Sequence, residues 1–257
     1  MNRLLFLLTA AGIALALTGC TDVVKLDVPP TAPLLVVDGQ ITDQARPAAV
    51  TLALTQPYFT KEAPPAVTGA TLTLDDDQGR RDVLRETTPG RYVGSGAVRG
   101  RIGGRYTLTI TADGQTYRAE TEIRRTPPID SIGLELKQKQ PGFDDGYYAL
   151  YYGPELPGVG DYYRFRVYVN GVLRNKPEDL TITSDELVDG NYIGGVILND
   201  KPFKRGDRLR VEGLAIPRDY FFFLRELQTQ VTNEGLFATS PANVRTNVRN
   251  TQSGTNR

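Results

Sequence analysis

The chain contains no histidine and no tryptophan, and a single cysteine among its 257 residues. Without histidine there is no Ser-His-Asp triad, no Cys-His dyad and no imidazole metal site. One cysteine closes neither an intrachain disulfide nor a thiolate zinc site. An excess of either charge is lacking too, since Lys+Arg and Asp+Glu both number 30. A nucleic-acid groove normally shows a basic excess, so no nucleic-acid partner is expected. What the chain does have is turn-forming and aromatic material: 26 glycines, 17 prolines and 13 tyrosines.

The amino end reads as an address and not as part of the fold. Arg3 precedes an apolar run from Leu4 to Leu17 whose sole polar member is Thr9. That run falls short of the ~20 residues a helix needs to cross a bilayer, and fits a secretory signal peptide over residues 1–19. Leu17-Thr18-Gly19-Cys20 resembles a bacterial lipobox. Its small residues admit a peptidase, and Cys20 supplies the thiol for a diacylglyceryl thioether. Two or more acyl chains hold a protein stably to a membrane where one does not. Cys20 is therefore the expected lipid anchor, and residues 20–33, with Pro29, Pro30 and Pro33, the extended tether.

Beyond the tether the pattern predicts a mainly β protein in two parts. Residues 34–125 hold about seven short alternating stretches, among them Val50–Thr55, Val67–Leu74, Arg105–Thr111 and Thr116–Thr121. Asp113-Gly114 has the composition of a tight hairpin turn. This spacing predicts an immunoglobulin-like β-sandwich, without its Cys…Trp…Cys signature. Pro127-Pro128 marks a boundary, and residues 126–240 read as a second β-rich domain. Its clearest strand is Asp161–Asn170, which alternates Tyr163, Phe165, Val167 and Val169 with Tyr162, Arg164, Arg166 and Tyr168. One amphipathic helix is predicted near 217–234, from apolar residues at Tyr220, Phe223, Leu224, Leu227 and Val231. Residues 241–257 are polar and read as a flexible tail.

The chemistry-bearing clusters have plain readings. Asp75-Asp76-Asp77 and Asp144-Asp145 lack the spacing of a calcium loop and read as solvated turns. Gly100-Arg101-Ile102-Gly103-Gly104 lacks the Lys-Ser/Thr of a phosphate-binding loop and precedes a strand, so it reads as a loop. No catalytic residue, metal ligand or cofactor is expected, and any catalyst here would rest on carboxylates, lysine or tyrosine. The best binding candidates are Tyr162, Arg164, Arg166 and Tyr168, because tyrosine and arginine each join a large apolar area to a polar end. The competing reading covers that face with the helix or with the first domain.

Several segments in order form a recognisable whole: the lipobox, Val36–Asp43, Gln56–Phe59, Val67–Leu74, Tyr106–Ile110, Pro127–Ile132, Tyr162–Gly171 and Ser240–Val244. Together they resemble the Bacteroidetes lipoproteins grouped as domain of unknown function 4249. The resemblance implies an outer-membrane lipoprotein, facing the periplasm or the cell surface, that serves as a non-catalytic accessory to a TonB-dependent transporter. It carries over no catalytic residues. Two other functions stay open: a structural or adhesive cell-surface protein, and a carboxylate-based hydrolase. The resemblance also implies a glycine- and aromatic-containing stretch after Asn243-Val244, where this chain runs polar to Arg257. A closing strand of the second domain is accordingly expected to be missing.

Overall fold

The structure, a computed structural model, describes residues 32–57, 60–199, 201–231 and 244–253. The predicted leader and the Cys20 anchor lie outside the described residues.

Seven strands come from the first part: β1 (Leu35–Gln40), β2 (Ala49–Leu54), β3 (Thr71–Asp76), β4 (Arg81–Thr88), β5 (Arg91–Val93), β6 (Arg105–Ala112) and β7 (Gln115–Glu122). They hydrogen-bond in the order β1-β2-β5-β4-β3-β6-β7, all antiparallel. The chain is mainly β as expected, and these strands join edge to edge into one antiparallel sheet that curls over. The bend lies in β4. Its first half, Arg81–Leu84, pairs with β3, while Arg85–Thr88 pairs with β5 across a bulge. Bulges bend the strand that carries them and sharpen its twist. The curl lets alternate residues of both halves meet in one core, with Leu52, Leu72, Ile110, Tyr92 and Tyr106 all buried. At the β6–β7 hairpin Asp113 and Gly114 have φ of 49° and 71°, the paired positive values of a type I′ turn.

The second part stacks two small sheets. In one, β9 (Gly146–Pro154) lies between β8 (Ser131–Lys137) and β13 (Tyr192–Ile197). In the other, β10 (Tyr162–Val169) carries β14 (Leu209–Ala215) on one edge. Its other edge carries β12 (Thr181–Ser184) and then β11 (Val172–Leu173). Ala149 and Tyr151 of β9 pack against Phe165, Val167 and Val169 of β10, which is the inward face the alternation predicts. The helix is α1 (Arg218–Val231), with Asp219 in its first turn where the dipole favours an anion. Phe221 and Leu224 pack, with Ile216, on the outer face of the β10 sheet, against Tyr162, Leu180, Ile182 and Leu214. The expected helix end near residue 234 lies outside the described residues.

The segment read as a flexible tail is partly structured. Residues 249 and 250 form β15 (Arg249–Asn250), which pairs with Arg118 and Tyr117 of β7 and makes the first sheet eight-stranded. Asn247 Nδ2 donates to Glu120 O, and Asn250 Nδ2 to Gln115 Oε1, each at 3.0 Å. Composition marked these residues as tail because two-residue strands have no periodicity of their own; their order comes from the bare edge of β7. The second part is thus inserted between two strands of the first sheet. Among the described residues no helix is long and apolar enough to cross a membrane.

Candidate binding crevice

A crevice of about 970 Å³ opens between the two parts and reaches core residues of the first sheet, among them Leu74, Leu84, Tyr106 and Leu108. One wall is β1 with the loop that follows it and the end of β7; the other is β10, β14 and the start of α1. The volume is that of a site for a small organic ligand.

Of the four residues singled out from sequence, Arg164 and Arg166 line this crevice. The other two are engaged elsewhere. Tyr162 lies under α1, its ring centroid 4.8 Å from that of Phe221 and 6.2 Å from that of Phe222. Tyr168 donates its hydroxyl to Glu212 Oε2 at 3.0 Å, and the Arg210 guanidinium sits 3.8 Å above its ring. All four are half-buried. The strand pleat puts them on one face, but the helix covers that face at one end and a cation–π pair holds it at the other.

Arg164 donates from Nη1 to the Tyr220 hydroxyl at 3.0 Å. The Nε atoms of Arg164 and Arg166 are shielded from solvent and have no hydrogen-bond partner among the described residues. Glu212, directly across the strand pair from Arg166, instead accepts from Arg210 Nη1 at 2.5 Å as well as from Tyr168.

The acidic cluster beside the crevice was not visible in the sequence. Glu155, Asp161 and Asp185 are all buried, with carboxylate oxygens within 4.8 Å of one another. Three such carboxylates resemble a cation site, yet each has a protein partner. Asp161 accepts from Arg124 Nη2 at 3.3 Å and from Arg125 Nε at 3.1 Å. Asp185 accepts the Gly160 and Asp161 amides at 3.1 and 3.0 Å. Glu155 accepts the Tyr163 hydroxyl at 2.6 Å. Burial pushes the Glu155 carboxyl above its ordinary range, and Tyr163 offsets only part of this. Burial, with Glu155 beside it, also raises the Tyr163 phenol. The cluster works as a clasp: Arg124 and Arg125, from the end of the first part, close on an aspartate at the start of β10. The one sequence signal for it was the arginine pair just before the Pro127-Pro128 boundary. The three acids lie far apart in the chain and carry no common spacing.

The aspartate run at the β3–β4 turn is less exposed than its composition suggested. Asp76 is buried and accepts the Gln78 and Arg80 amides at 3.0 and 2.9 Å, so it builds the turn from within. The residues of the run are thus turn supports, with Asp75 paired to Arg81 and Asp77 to Arg101.

A family model described as Domain of unknown function (DUF4249) matches residues 21–256. No curated protein matches the chain.

Proposed function

Because the chain belongs to the family described as Domain of unknown function (DUF4249), we propose that it is an outer-membrane lipoprotein anchored through Cys20. In this reading it is a non-catalytic accessory to a TonB-dependent transporter, capturing a substrate or docking on the receptor. The observation that carries the capture role is the crevice between the two β parts, with two arginines on one wall. A proline-containing tether and a body with balanced charge suit a protein held to a membrane by lipid and not by a polybasic patch. No chemistry is needed for capture. The clustered carboxylates, which a hydrolase would need free, are occupied by arginines, a tyrosine hydroxyl and backbone amides.

A structural or adhesive surface protein is the second reading. It draws on the edge strand β8, where Leu134 and Leu136 are 59% and 62% exposed. A pull-down through a tag on this chain, from detergent-solubilised outer membrane, separates the two. A barrel receptor enriched in the eluate supports the accessory role, and a preparation free of any receptor leaves the adhesive one. Labelling with an alkyne palmitate analogue is expected to mark the protein and to be lost in Cys20→Ser. An unlabelled wild-type protein would overturn the anchor.

A further inference from the structure

Arg164 and Arg166 stand two residues apart on one face of β10, so their guanidinium groups are neighbours on the crevice wall. Neither forms a salt bridge with any described residue. Arg164 has a neutral phenol as its partner, which leaves its charge unbalanced. Arg166 has no hydrogen bond to any described residue, and its Nε is closed off from water. Three of the five carboxylates that line the crevice are turned to other partners. Glu212 is held by Arg210 and Tyr168; Glu120 pairs with Arg118 at 3.0 Å, and Glu122 with Arg105 at 3.6 Å. Asp38 and Asp43 are exposed. Two neighbouring guanidinium groups without a counter-ion repel each other, and the group that fits them best is an oxyanion bound through parallel N–H donors.

We propose that the crevice binds an anionic ligand through Arg164 and Arg166, the contacting group being a carboxylate or a phosphate. This assignment rests on the capture reading and names its ligand class. A single inorganic ion would leave most of the 970 Å³ unfilled, so the anionic group is one end of a larger molecule. The rest of that molecule lies along Ile123, Pro217 and Val248, which also line the crevice. Tyr220 acts as a positioning residue: its hydroxyl holds Nη1 and so fixes the Arg164 guanidinium at the crevice wall.

The test is calorimetric titration of the full chain, in a non-ionic polyoxyethylene detergent, with citrate, inorganic phosphate and neutral maltohexaose. Saturable heat is expected with an anion, weakening as salt is raised. Arg166→Gln is expected to weaken binding roughly tenfold or more with little change in Tm, since it breaks no hydrogen bond or salt bridge to any described residue, while Arg166→Lys, which keeps the charge but not the paired donors, recovers only part of the affinity. Arg164→Gln should weaken binding likewise; if it fails to fold, Arg166→Gln alone decides. A preference for citrate identifies a carboxylate ligand, and a preference for phosphate a phosphorylated one. No saturable heat with either anion, or Arg166→Gln equal to wild type, overturns the proposal. Saturable binding of maltohexaose alone overturns the anion assignment while sparing capture. Anion binding by a chain that retains no receptor removes the transporter role and leaves this site standing.

Discussion

Tyr92 shows how a single side chain can tie the segment before β3 to the first sheet. It is 1% exposed, and its hydroxyl accepts the Ala70 amide at 3.0 Å and donates to Val67 O at 2.9 Å. Tyr92→Phe would keep the ring and strand two backbone groups, so a loss of about 2 kcal/mol is expected in denaturant titration. Acidic residues set the pH response in two opposite senses. For Asp82, burial acts to raise the carboxyl, but the Ser95 amide and hydroxyl and the Gly96 amide outweigh it and leave the pKa lowered. Its contribution is present above the ordinary value of 3.8 and is lost as pH falls through the folded value. Glu155 is raised by burial, so its contribution is full below 4.5 and is lost as pH rises through its folded value. Thermal melts across pH should therefore peak in mild acid. Glu155→Gln is expected to flatten the limb above pH 4.5, and Asp82→Asn the acid limb. A wild-type profile unchanged by Glu155→Gln would show that the carboxyl is not held up.

At the scale of elements, what the sequence made legible tracks where each element's stability originates. β10 was readable because its inward residues form a core of their own, so its period of two is kept over the whole strand. α1 was readable for the same reason at period 3.6. The strands without such a signal, β12 and β15, have four and two residues, and neighbours supply their pairing. The single curled sheet was hidden because pairing order is a tertiary property; alternation reports which face is apolar and not which strand lies alongside. Of the crevice, the arginines were legible from the strand pattern, and their lack of counter-ions was not. The Gly100 loop, which composition left without a role, has a packing reason. A Cβ there would stand 2.0 Å from Thr42 O, a backbone atom that cannot swing away. Gly100→Ala is expected to cost about 2 kcal/mol and to disturb the loop after β1, which lines the crevice. Phe221, 7% exposed on the buried face of α1, should cost about 3 to 5 kcal/mol as alanine. Hydrogen exchange would then rise first in α1, loosening Tyr220 from Arg164.

The molecule as a whole is joined at the clasp. Arg124 and Arg125 stand on one part and Asp161, only 2% exposed, on the other. In Asp161→Asn the two arginines keep access to water, so a modest loss of about 2 kcal/mol is expected. The sharper outcome is mechanical: two resolved calorimetric transitions in place of one, and faster protease cutting near Pro127-Pro128. Because the crevice walls belong to different parts, the same variant should weaken anion binding although Asp161 does not line the crevice.

The late arrival of β15 governs how such a chain is made. Among the described residues the outer edge of β7 has no strand beside it but Arg249 and Asn250, which follow the whole inserted part in the chain and so join last if folding proceeds from the amino end. Through that interval the hydrogen-bonding groups of Tyr117 and Arg118 are open to any extended peptide nearby. A nascent chain stopped before Arg249 would remain in this sticky state and is expected to pair with its own copies, appearing as β-rich oligomers in size-exclusion chromatography.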